Sequence, residues 1–102
     1  MTGFREVGRI LLLIMMESME NIEFSKYAEV QAQEREIKKQ DILDTVRSPG
    51  QVLLGKKGRK IAQKKLDKEG EKGLLRVIFE EKTDAKVVIT AYWTSRIKNY
   101  WR

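Results

Sequence analysis

Four residues toward the end of the chain, Arg76, Thr90, Tyr92 and Arg96, are of types that could work on a phosphate ester. A guanidinium stabilises charge developing on phosphoryl oxygens, and a tyrosine hydroxyl can pass a proton to a leaving oxygen. With these groups a 2′-hydroxyl could be driven onto the adjacent phosphate of RNA without any metal. Arg76 lies between Leu74 and Ile78 in an apolar stretch, while Thr90 and Tyr92 alternate with Ile89 and Ala91. On strands, alternation would turn Arg76, Thr90 and Tyr92 to one face. Each also has a plainer reading. Arg76 could pair with Glu80, Thr90 is a good strand residue, and Tyr92 and Tyr100 could be rim aromatics with anchored hydroxyls.

A second group could hold a polyanion. Residues 55–76 carry nine Lys/Arg against three Asp/Glu, whereas the rest of the chain carries twelve of each sign, so the whole net charge of +6 sits in this segment. Lys56, Lys57, Arg59, Lys60, Gln63 and Lys65, with Lys64, are the candidate nucleic-acid contacts here, joined by Arg35 and by Tyr100 as a stacking ring. A lysine-rich, well-solvated hairpin is the equal alternative.

Composition narrows the chemistry. The 102 residues include no cysteine and no histidine. That excludes disulfides, thiolate metal sites and the usual neutral-pH general base. No cofactor motif is present; GKKGRK lacks the spacing of a phosphate-binding loop. The expectation is a protein of the reducing cytoplasm that uses neither metal nor cofactor.

The elements that must position these residues change period at Pro49. Before it, residues 25–36 read as a helix capped by Ser25, with Tyr27, Val30 and Glu34 on one side and Ala28, Ala32 and Arg35 beside them. Residues 40–47 read as a second helix burying Ile42, Leu43 and Val46. After it, strands are expected at 51–54, 59–66, 74–82 and 86–94, joined by short polar turns. The fold class is α+β, with two N-terminal helices on one face of a four-stranded antiparallel sheet. Leu75, Val77 and Phe79, with Val87, Ile89, Ala91 and Trp93, should face the helices. If Ala62 and Leu66 also face inward, then Arg59, Gln63 and Lys65 join Arg76, Thr90 and Tyr92 on the open face. Residues 1–19 read as an extension ahead of a single domain at 20–102. The apolar run 10–16 is too short to cross a membrane. Met15, Met16 and Met19 offer later starts, and the run could equally be a homodimer contact.

The stretches YAEVQAQEREI, ILDTVRSPGQV, RKIAQKK, LLRVIFEE and VVITAYWTSRIKNYW resemble a family of small bacterial and archaeal proteins of unassigned function. Its first helix begins H-A-x-x-R-x-x-x-R-G-I. That family is in turn distantly similar to the RelE/ParE and BrnT toxins of toxin–antitoxin pairs. The resemblance implies a RelE-like fold, metal-independent RNA cleavage in association with the ribosome, and a cognate antitoxin as partner. Arg35, Arg76, Thr90, Tyr92 and Arg96 match recurrent polar positions. Tyr27 stands where the family has histidine and Glu36 where it has glycine, so a catalytically inactive module binding nucleic acid or protein is the alternative.

Overall fold

A computed structural model describes residues 21–102. The expectations placed on residues 1–19, including the alternative starts and the homodimer contact at 10–16, lie outside the described residues. Two helices pack on one face of a mixed sheet. In chain order the elements are β1 (Ile22–Phe24), α1 (Lys26–Glu34), α2 (Lys39–Arg47), β2 (Gln51–Leu54), a 3-10 turn (Lys56–Gly58), β3 (Lys60–Lys68), β4 (Glu71–Glu81), β5 (Lys86–Thr94) and α3 (Ile97–Tyr100). The sheet order is β1-β5-β4-β3-β2.

The expected four antiparallel strands are therefore one short. Residues 22–24 add a fifth strand, parallel to β5, with Phe24 opposite Val88. Three residues are too few to show alternation, so this strand had no legible signal. It ends where Ser25 begins α1: the Ser25 hydroxyl accepts from Ala28 N–H at 3.0 Å, as the sequence suggested.

The first helix is shorter than the expected 25–36 and packs differently. Ala28 and Ala32 are its buried residues, whereas Tyr27 and Val30 are exposed. Small side chains let the helix lie close to β5. Its end is a Schellman motif: Ile37 N–H reaches Ala32 O at 2.8 Å, Glu36 N–H reaches Gln33 O at 3.2 Å, and Glu36 has φ +55°. Glutamate thus occupies a left-handed position that favours glycine. In α2 the buried residues are Ile42, Thr45 and Val46. Leu43 is only half-buried; Thr45 takes the core position because its hydroxyl donates to Asp41 O at 2.7 Å.

β3 and β4 run longer than expected and meet in a two-residue turn, since Lys68 pairs with Glu71. Glu69 and Gly70 both have positive φ (52° and 82°), as the strand twist requires of such a turn. Gly73, expected in a polar connection, is a strand residue instead. A Cβ there would lie 2.3 Å from Trp93 Cζ2, so the indole rests on bare backbone.

A bulge changes which residues of β5 meet the helices. Ile78 pairs with Thr90 and Phe79 with Val88, leaving Ile89 as the extra residue. The expected inward set of Val87, Ile89 and Ala91 is thereby corrected to Val88 and Ala91. Those two join Leu75, Val77, Ala28, Ala32, Ile42 and Val46 in the core, with Ile22, Phe24, Ile37 and Leu66 at its margin. Ala62 is fully buried and Leu66 packs inward, so the conditional assignment of β3 is correct.

Candidate functional site

The face away from the helices carries one polar row. Register places Gln51 opposite Gln63, Gln63 opposite Arg76, and Arg76 opposite Tyr92, across four strands. The side chains join along it. Gln63 Nε2 donates to Gln51 Oε1 at 2.8 Å, Arg76 Nε donates to Gln63 Oε1 at 3.0 Å, and Arg76 Nη1 donates to the Tyr92 hydroxyl. Gln63 is 0% exposed and Arg76 7%. Arg76 has no carboxylate partner among the described residues; Glu80, its plain alternative, pairs with Arg59 at 2.9 Å instead. Its guanidinium lies 4.2 Å from the centre of the Tyr100 ring and 5.5 Å from that of Tyr92. Two aromatic faces and two neutral acceptors thus compensate a nearly buried cation.

Burial here comes from the C-terminal segment, which sequence reasoning left on the open face. After β5 the chain turns at Ser95 and Arg96, forms α3, and crosses back over the sheet toward β2. Three hydrogen bonds and the packing of Trp101 hold it. Gln63 Nε2 donates to Tyr100 O at 3.0 Å, and Gln51 Nε2 donates to Arg102 O at 2.6 Å while its Oε1 accepts from Arg102 N–H at 3.1 Å. Trp101 fits against Gly50, where a Cβ would meet its ring at 2.8 Å, and the Lys65 ammonium sits 4.3 Å from the Trp101 ring centre. The segment is a strap over the polar row. Gln51 was missed, although a second glutamine in register with Gln63 is a signal that strand pairing alone could supply.

Beside the strap the same face opens into a groove of about 790 Å³. Ile61, Ile78 and Tyr92 form its floor, Lys56, Lys57 and Arg59 one wall, and Thr90 its far side. Ile61, Ile78 and Thr90 are in register on neighbouring strands, one row along from Gln63, Arg76 and Tyr92. Lys56 and Lys57 are exposed and make no ion pair among the described residues. The 3-10 turn projects both, and Lys57 adopts φ +59° to do so. In the sequence the two isoleucines are no more than strand residues.

The remaining candidates separate. Lys60 turns to the other face, opposite Phe79, and binds Glu81 at 2.9 Å. That hydrogen bond, chiefly, holds the Glu81 carboxyl below its usual range, with the charges of Lys60 and Lys86 adding to it. Lys64, opposite Leu75, also lies on the helix side. Lys65 is occupied with Trp101. Arg96 is exposed, and its side chain makes no hydrogen bond or ion pair among the described residues. Arg35 reaches round the edge of β5, donating to Ala91 O at 2.7 Å and Thr90 Oγ1 at 3.4 Å. So Arg76, Tyr92, Tyr100 and Gln63 come together, with Lys56, Lys57, Arg59 and Thr90 around the adjoining groove. Arg35, Lys60, Lys64, Lys65 and Arg96 fall outside that group. Among the described residues no three His, Cys, Asp or Glu gather as metal ligands. No helix among them is long and apolar enough to cross a membrane.

Residues 24–93 match the family described as a domain of unknown function, DUF4258. The chain belongs to this family. The match takes in Arg35, the groove, Gln51, Gln63, Arg76 and Tyr92, and stops before the strap. No curated protein and no solved structure matches the chain.

Proposed function

We propose that the protein binds single-stranded RNA in the groove beside Arg76. The observation that carries this reading is an apolar, tyrosine-bearing floor walled by two lysines that make no ion pair among the described residues. A base can lie on Ile61, Ile78 and the Tyr92 ring, with phosphates on Lys56 and Lys57. Such binding weakens with salt, because each neutralised phosphate releases counterions. Fluorescence anisotropy with a labelled oligouridylate should show a steep salt dependence. Lys56→Ala should flatten the slope of log K against log[salt] by about 0.7. Failure to bind at low salt, or an unchanged slope in the variant, refutes the proposal.

Cleavage is the second reading, favoured by the contact between Arg76 Nη1 and the Tyr92 hydroxyl. This is the RelE-type toxin reading, with a cognate antitoxin as partner and the ribosome as the setting. The 2′-oxygen attacks phosphorus as its proton passes to solvent water, the bond to the 5′-oxygen breaks, and Tyr92 protonates the leaving oxygen while a cyclic phosphate forms. Arg76 would stabilise the transition-state charge. The chain has no imidazole to take the 2′ proton, which is why binding stands first. Cleavage of RNA in the presence of EDTA, lost in Tyr92→Phe with binding retained, would establish it. Intact RNA after prolonged incubation with the protein would exclude it.

A further inference from the structure

The α1 surface beside β5 holds four polar side chains in one directed chain of hydrogen bonds. Arg35 Nη1 donates to Thr90 Oγ1 at 3.4 Å, Thr90 Oγ1 donates to Gln31 Oε1 at 3.0 Å, and Gln31 Nε2 donates to Tyr27 Oη at 2.6 Å. Every donation runs toward Tyr27. The Tyr27 proton is therefore directed outward, and the ring carrying it is 60% exposed. At the other end Arg35 spends Nη1 on Thr90 and Ala91, while its Nε and Nη2 protons meet no acceptor among the described residues. The array presents donors to solvent at both ends.

The fold uses only part of this arrangement, the Arg35 and Gln31 contacts that tie α1 to β5. The helix is seated by Ala28 and Ala32, which are 1% and 6% exposed. Fixing long side chains at a surface costs conformational entropy, roughly up to 2 kcal/mol each, against a modest return per hydrogen bond. A pre-ordered, exposed row of donors is what recognition of an acceptor needs. Tyr27, Gln31 and Arg35 recur every fourth residue, so the row spans about 12 Å of helix. Among the described residues the edge of β5 has no strand neighbour beyond Phe24, and α1 lies along it. Thr90 belongs to both places: it closes the groove on one side and links Arg35 to Gln31 on the other.

We infer that Tyr27, Gln31 and Arg35 form a second contact point for the same RNA strand, receiving phosphate and sugar oxygens as the strand leaves the groove over Thr90. The inference rests on the groove being an RNA site. Lys26 and Arg35 on this helix are matched by Glu29 and Glu34, so the row recognises the strand through hydrogen-bond donors rather than through excess charge. Its contribution to binding should depend less on salt than that of the groove.

The experiment compares oligouridylates of about four and about twelve nucleotides, within the range of single-strand site sizes, on wild type, Tyr27→Phe and Arg35→Gln. The gain in affinity on lengthening should shrink about two- to tenfold in Tyr27→Phe and about ten- to a hundredfold in Arg35→Gln. Tyr27→Phe keeps the ring and the Arg35 bond to Ala91 O, and removes the hydroxyl together with the exposed hydrogen bond it accepts from Gln31, so it stands as the control for any loss of packing in the arginine variant. If both variants keep the full gain, the second contact point is refuted while the groove stands. If the short strand does not bind even wild type, the groove reading fails and the extension fails with it.

Discussion

Replacing Arg76 by alanine should unsettle the fold before it reports on any chemistry. The side chain donates to Gln63, which is 0% exposed and has no water to turn to. A hydrogen bond from a charged donor is worth about 1.5–3 kcal/mol, and a buried acceptor left without one costs about 1–3 kcal/mol. These overlap, since both describe the loss of one contact. The two aromatic faces at 4.2 and 5.5 Å add about 0.5–1 kcal/mol each. Terms that share one network do not sum, so about 4 kcal/mol is a fair expectation. A domain of this size holds roughly 5–15 kcal/mol in all, and each kcal/mol moves the melting temperature about 4–8 °C. Arg76→Ala should therefore melt at least about 15 °C below wild type, with urea unfolding followed by tryptophan fluorescence giving the free energy. Replacing Arg76 and Gln63 together by methionine removes the orphaned acceptor along with the cation and should recover part of the loss, the remainder being the Gln63 bonds to Gln51 and Tyr100 O. If Arg76→Ala stays within about 1 kcal/mol of wild type, the network does not hold this face together. A loss of RNA binding in Arg76→Ala then bears on the site only at temperatures where the variant is folded.

Three further outcomes follow from named contacts. Glu36→Gly relieves a left-handed residue in the Schellman turn and should stabilise the domain by about 0.5–1 kcal/mol; a lower melting temperature would refute the assigned backbone role. Gln51→Ala removes both hydrogen bonds to Arg102, so Trp101 should become more accessible to acrylamide, with a stability loss of about 1–2 kcal/mol; unchanged quenching would mean that the strap is held elsewhere. Glu81 has a carboxyl pKa lowered by its hydrogen bond from Lys60, so its contribution to stability is present above the ordinary carboxylate range and is lost as pH falls through the lowered value. Lys60→Met should raise the Glu81 pKa in a carboxyl NMR titration and remove that part of the acid dependence; an unmoved titration would sink the assignment.

Much of the fold was legible because burial follows alternation. The change of period at Pro49, the Ser25 cap and the strands at 51–54 and 86–94 all come from local rules, and the structure has each of them. Local rules failed where one residue changes parity. The extra Ile89 inverts the faces of Val87 and Val88, and nothing in VVIT marks the bulge. They failed too where an element is stabilised only by its neighbour, as three residues of β1 are by β5. On the helices, size outweighed pattern: alanines allow close approach, so Ala28 and Ala32 are buried while Tyr27 and Val30 are left outside.

The candidate site divides the same way. Residue types and strand parity alone determined that Arg76 and Tyr92 share a face, with Gln63 joining them only if Ala62 faces inward, and that the excess charge lies between residues 55 and 76. They also left the chain without an imidazole or a thiolate. Only the tertiary structure decided what lies over that face. The strap carries Tyr100 onto Arg76 and Trp101 onto Gly50, burying a guanidinium that alternation had left open to solvent. Lys60 and Lys56 stand four residues apart in one basic run, yet one is tied to Glu81 and the other borders the groove. Alternation fixes the side of a sheet on which a residue lies. What covers that side depends on contacts between segments distant in the chain, whose energies no local pattern encodes.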